Sequence, residues 1–116
     1  MKDVPQENMV FRISINESLY DVAAPEFGNA EKEIDEICAQ LGHGNPWVWG
    51  IVTVTASYHS LSACVTREPV QFDSFSDFKD SVLYDTLYEE AAERLRLVIR
   101  AAAASVVDLL EYGKDL

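Results

Sequence analysis

The residues of this chain that could do chemistry are two histidines, two cysteines, a scatter of serines and twenty carboxylates. His43 and His59 each fall in turn-like sequence, and neither has Cys, Asp or Glu at the spacing that would complete a metal site. Cys38 and Cys64 lie in apolar contexts, Ile37-Cys38-Ala39 and Ala63-Cys64-Val65, which predict two buried thiols. Nothing local pairs either thiol with a histidine as an activated nucleophile. No serine sits in a G-x-S-x-G elbow, and His43-Gly44-Asn45 lacks the glycine spacing and lysine of a phosphate loop. Carboxylates doing acid–base work need two different environments inside one cleft, whereas these read as solvent-facing. The expectation is a chain that is not an enzyme, with no catalytic residue, metal or cofactor. A small enzyme would require a cleft around His43 or His59.

The carboxylates carry the stronger pattern. Nine basic residues against twenty acidic ones give a net charge of −11, which disfavours direct binding to nucleic acid or anionic lipid. Seven acids fall between Asp73 and Glu93 and seven between Glu17 and Glu36, so 14 of the 20 occupy two segments. Asp85, Glu89 and Glu93 stand at i, i+4 and i+8, a single-sign ridge on one helix face. Like charges at that spacing cost roughly 0.2–0.5 kcal/mol per pair, so selection for stability alone would mix in lysine or arginine. Arg94, Arg96 and Arg100 instead follow the ridge. The candidate partner-binding residues are Asp77, Asp80, Asp85, Glu89, Glu90 and Glu93, with Glu31, Glu33, Asp35 and Glu36 second. Two solvated helix faces and adaptation to high salt are the competing accounts of the same charge.

The elements that must position these acids follow from periodicity. Met9–Asn16 alternates as a strand, after a polar and frayed lead of residues 1–8. Asn29 is the expected cap of a helix over Ala30–Leu41, with Ile34, Ile37, Cys38 and Leu41 as its buried stripe and Gly42 as its stop. Trp47–Tyr58 is the longest strand signal and is apolar on both faces, as a central covered strand would be. His59-Ser60 turns the chain into an antiparallel strand over Leu61–Arg67, ended by Pro69. Ser74 or Ser76 caps a short helix through Phe78. From Val82 to Tyr112 apolar residues recur in steps of three and four; such a helix spans about 46 Å. Either it breaks or its end projects, and residues 98–112 could join two copies as a homodimer. The fold expected is a single α+β domain over 1–116: a small antiparallel sheet of about three strands, two main helices and the order β-α-β-β-α, closing on a long C-terminal helix. No apolar run reaches the roughly 20 residues of a membrane span, and Met1–Val10 lacks a secretory pattern, so a cytoplasmic location is expected.

Gly44-Asn45-Pro46-Trp47-Val48-Trp49, followed by Val52-Thr53-Val54-Thr55-Ala56, resembles a strand motif N-P-W-x-W-x-x-V-x-V-x-A. That motif belongs to small acidic proteins of phages and other bacterial mobile elements. Ser76-Asp77-Phe78 and Tyr84–Glu90 look like that group's later acidic D-F segment and aromatic-led helix, so the likeness covers roughly residues 44–95. The chain departs in lacking the group's cysteine-rich glycine turn between the strands, having only Leu61-Ser62-Ala63-Cys64 there. The resemblance implies no activity; it implies a setting in which short acidic inhibitors of host defence are frequent. Together with the acidic ridge, it suggests an anti-CRISPR or anti-restriction protein of the bacterial cytoplasm. Its partner would be the basic surface of a defence nucleoprotein or nuclease. The alternative is a phage accessory, structural or immunity-type protein that associates through its C-terminal helix.

Overall fold

A computed structural model describes residues 3–114, and side chains as far as residue 106. The elements in chain order are β1 (Val10–Glu17), α1 (Glu31–Gly42), β2 (Gly50–Tyr58), β3 (Leu61–Val70), α2 (Phe75–Lys79) and α3 (Val82–Lys114). Single 3-10 turns stand at Gln6–Asn8, Pro25–Phe27 and Pro46–Trp49. The three strands form one antiparallel sheet in the order β1-β2-β3, so the architecture is α+β with a long C-terminal helix.

β2 forms because β-branched residues alternate along it. Val52, Val54 and Ala56 are fully buried, while Ile51, Thr53 and Thr55 are only half-buried. The second face is therefore less covered than its apolar content suggests, and Thr53 meets Thr66 there, hydroxyl to hydroxyl at 3.3 Å. His59 takes the left-handed φ of +53° at the β2–β3 turn, where the twist of a tight hairpin demands a positive φ. β3 does not end before Pro69 but continues to Val70. An edge strand has one side without ladder bonds, so a missing N–H is tolerated there.

Trp47 and Trp49 lie outside the strand. The Asn45 side chain accepts a hydrogen bond from the Trp47 N–H at 3.2 Å, and Pro46 supplies a helical φ at the first position. The chain therefore turns once and buries both indoles. Gly50 ends the turn where a Cβ would sit 2.5 Å from the Pro46 carbonyl oxygen and 2.6 Å from Ile15 Cδ1. α1 also starts differently from the expected cap: Ala30 occupies the N-cap without a side-chain bond, and Asn29 instead donates to the Val22 carbonyl at 3.1 Å. Gly42 is the last residue of the helix, and the left-handed glycine is Gly44, at φ +86°. No residue of α1 is buried: Ile34, Ile37 and Leu41 are half-buried and Cys38 is exposed. Cys64 is exposed as well, because it points from the less covered face of β3, so neither thiol is a core residue.

The chain divides into two compact units. The first comprises Met1–Arg12, Val54–Val65 and Leu87–Leu116, and the second Ile13–Thr53 and Thr66–Thr86. In the first, Val54, Ala56 and Val65 of the sheet and Leu87, Ala91, Ala92 and Leu95 of α3 are all buried, and all are aliphatic or small. Phe11 stacks on Tyr88 with centroids 4.5 Å apart. Residues 3–8 are tied down instead of frayed. Arg100 grips the Asp3 carboxylate, with Nη2 at 2.7 Å from each oxygen, and Arg96 Nε donates to the Val4 carbonyl at 3.0 Å.

The second unit is built on aromatic rings. Trp47 stacks on Phe78 at 5.2 Å, Phe72 and Tyr84 meet Phe78 edge-on, and Phe27 meets Trp49 edge-on at 5.0 Å. Each buried indole or hydroxyl also needs a polar partner. The Trp49 Nε1–H donates to the Tyr20 carbonyl at 2.9 Å, and the buried Ser18 hydroxyl donates to Glu68 at 2.9 Å. α2 begins at Ser74, whose hydroxyl accepts from the Asp77 N–H; of the two serines offered by the sequence, this one is the cap. α3 then runs unbroken for 33 residues. At 1.5 Å per residue that is about 50 Å, longer than the roughly 33 Å of a ten-residue strand.

Candidate functional site

The acidic residues reach the surface because the apolar positions between them are taken up elsewhere. On α3, Leu87, Ala91 and Leu95 are fully buried, which leaves Asp85, Glu89 and Glu93 exposed and Glu90 half-buried. On α2, Phe78 is the buried residue, and Asp77 and Asp80 stand exposed. On α1, Glu31, Glu33, Asp35 and Glu36 are all exposed. The first two carboxylates lie in the first turn, where the helix dipole favours negative charge.

The cations that follow the ridge are engaged within the first unit. Arg94 donates to the Cys64 carbonyl at 3.0 Å, Arg96 reaches Glu93 at 3.3 Å as well as Val4, and Arg100 holds Asp3. The hydrogen bond from Arg100 pulls the Asp3 carboxyl below its ordinary value, and the same bond raises the guanidinium further. These arginines fasten the chain more than they neutralise the ridge. Among the described residues no ion pair engages Glu31, Glu33, Asp35 or Glu36.

Clefts in both units border the candidate acids. In the first unit, Glu89, Glu90, Glu93, Arg96 and Gln6 line a recess of about 520 Å³. In the second, Glu36, Ile37, Gln40, Asn45, Val48 and Asp73 line one of about 400 Å³. A neighbouring cleft of about 270 Å³ is bounded by Val48, Gln71, Phe72, Asp73 and Asp77. The second unit thus brings Glu36, from the earlier acidic segment, to the same cleft as Asp73, from the later one. Glu31, Glu33, Asp35, Asp80 and Asp85 stand on their helices, exposed.

Sequence reasoning overlooked Val48 and Asp73 as site residues. Strand alternation sets Val48 opposite the two tryptophans, but the 3-10 turn buries Trp47 and Trp49 and leaves Val48 half-buried at the cleft. The available signal was Asn45 before Pro46, a capping residue before a helix-starting proline. That asparagine also donates from Nδ2 to the Asp73 carbonyl at 3.0 Å, which fixes the wall shared by the two clefts.

His43 caps the C-terminal end of α1 and His59 packs edge-on against Tyr58; both are exposed. Among the described residues no group of three or more His, Cys, Asp or Glu side chains could hold a metal ion, and no helix is long and apolar enough to cross a membrane. No protein-family model, curated protein or solved structure matches the chain.

Proposed function

We propose that this protein is a non-enzymatic inhibitor of a bacterial defence system, anti-CRISPR or anti-restriction, carried by a phage or related mobile element. In this reading its carboxylates stand in for nucleic-acid phosphates in the basic groove of a host nucleoprotein or nuclease, in the bacterial cytoplasm. The observation that carries the reading is the α3 ridge: Asp85, Glu89 and Glu93 are exposed at successive helical turns, and of the three arginines that follow, only Arg96 turns back to a ridge carboxylate. A surface of this kind would associate quickly with a basic partner and release it as salt rises. The test is charge reversal, Asp85→Lys, Glu89→Lys and Glu93→Lys together, assayed for inhibition of CRISPR and restriction nucleases at low and moderate salt. Loss of inhibition with an unchanged circular-dichroism spectrum is expected. Undiminished inhibition by the triple variant would sink the site.

A second reading, association of two copies through residues 98–112, draws on the reach of α3. Leu97 and Val106 are each 56% exposed on a helix longer than any strand; the side chains of 107–112 lie outside the described residues. Light scattering of the whole chain against a variant ending at Ala101 tests it, with a halved mass expected from the truncation.

A further inference from the structure

We propose that the two clefts of the second unit form one docking groove for a basic peptide segment of the partner protein, in which an apolar side chain sits between cationic ones. The inference rests on the reading of the protein as the ligand of a basic surface, and it adds a second point of contact to the α3 ridge.

The groove is a built feature. The clefts share Val48 and Asp73, so their walls are continuous. Ile37, Val48 and Phe72, all half-buried, supply its apolar lining, and Glu36, Asp73 and Asp77, all exposed, supply its charge. Two hydrogen bonds brace this lining: Asn45 Nδ2 to the Asp73 carbonyl at 3.0 Å, and the Phe72 N–H to the Trp47 carbonyl at 2.8 Å. Trp47, next to Val48 in the turn, is buried and stacked on Phe78. A preformed cleft costs less to occupy than one that must order first.

Charge selects the occupant. An apolar lining alone would admit many segments, but three carboxylates along the rim repel acidic ones and favour lysine or arginine. Gln40 lines one cleft and Gln71 the other, and their amide side chains can hydrogen-bond an extended main chain. An apolar residue against Val48 with a basic residue on either side satisfies all of these groups at once.

The experiment is an amide chemical-shift titration of the whole chain, run at low salt, with a blocked pentapeptide alternating arginine and leucine. Pentalysine serves as the comparison. The expected result is saturable binding with the largest shifts at Ile37, Val48 and Phe72, and about tenfold tighter than pentalysine. Val48→Ser should weaken it about fourfold, the equivalent of one buried methylene. Asp73→Asn should weaken it about threefold. That variant keeps the clamp, since Asp73 enters it through its main-chain oxygen. The ridge triple variant should weaken binding of the peptide no more than that of pentalysine, through the change in net charge alone. Equal affinity for pentalysine, greater weakening of the peptide than of pentalysine by the ridge variant, shifts spread evenly over the acids, or no saturable binding would each overturn the groove. The nuclease assay of the ridge variant is read independently, so the two proposals fail separately.

Discussion

α1 and α3 are both acidic helices, yet the chain uses them in opposite ways. α3 buries Leu87, Ala91, Ala92 and Leu95 completely and is strapped to residues 3 and 4 by two arginines. α1 buries nothing, carries no side-chain N-cap, and has the Pro46–Trp49 turn as its main neighbour. Helices in proteins owe most of their stability to tertiary packing of an apolar stripe. By that measure α3 is a structural member that also displays charge, while α1 is a charged display resting on the structure. A carboxylate on a well-packed helix is presented in one place. One on a lightly packed helix can adjust to whatever docks.

The largest effect should separate the two helices directly. Leu87→Ala removes a fully buried side chain and should cost about 2–5 kcal/mol in urea unfolding. Ile37→Ala on α1 should cost less than about 1.5 kcal/mol, since its side chain is only half-buried. Equal losses would break the comparison. Gly50→Ala should follow, at about 1–3 kcal/mol, because the added Cβ meets a backbone oxygen that cannot step aside. It strains the turn on which α1 rests. Hydrogen exchange should therefore show α1 amides losing protection ahead of those of α3, and simultaneous loss would contradict the division.

How far the sequence could be read depends on whether local signals and packing agreed. The α3 stripe, the His59-Ser60 hairpin and a serine cap at Ser74 or Ser76 were legible because each is settled within four or five residues. The exposure of the ten candidate acids was legible for the same reason, and only Glu90 turns partly inward. The tryptophans misled, because alternation along Trp47–Tyr58 reads as strand while a capping asparagine and a proline start a turn. Cys38 misled differently. It keeps helical spacing with Ile34, Ile37 and Leu41, but those three are only half-buried and the thiol itself is exposed. The clefts around Val48 could not be read at all, since Asn45 reaches Asp73 only through a hydrogen bond spanning 28 residues.

A smaller effect tests whether the ridge carries a cost that packing absorbs. Glu89→Lys converts two like-charge spacings, to Asp85 and to Glu93, into opposite-charge ones. It should stabilise the chain by about 0.5–1 kcal/mol at low salt and by less as salt rises. If the ridge is functional, the same variant should inhibit less well, so stability and activity move in opposite directions. A variant that is both no more stable and fully active would mean the ridge is merely a solvated face.

The smallest effect lies in the strap that distinguishes α3. The Arg100 hydrogen bond lowers the Asp3 carboxyl from its ordinary 3.8, so the folded state favours the ionised form more than the unfolded chain does. A depressed carboxyl of this kind contributes its stability above the unfolded value, and loses it as the pH falls through the lower, folded one. Both partners are solvent-exposed, so salt should screen the contribution. Asp3→Asn should therefore melt slightly below the parent at pH 7 in low salt. The difference should shrink as the pH drops below 3.8 and vanish in molar salt. α1 has no such bond, and Glu36→Gln, past the first turn of that helix, should show no matching loss at pH 7. A gap between Asp3→Asn and the parent that persisted unchanged into acid would mean the strap acts through packing of residues 3–8 and not through its charge.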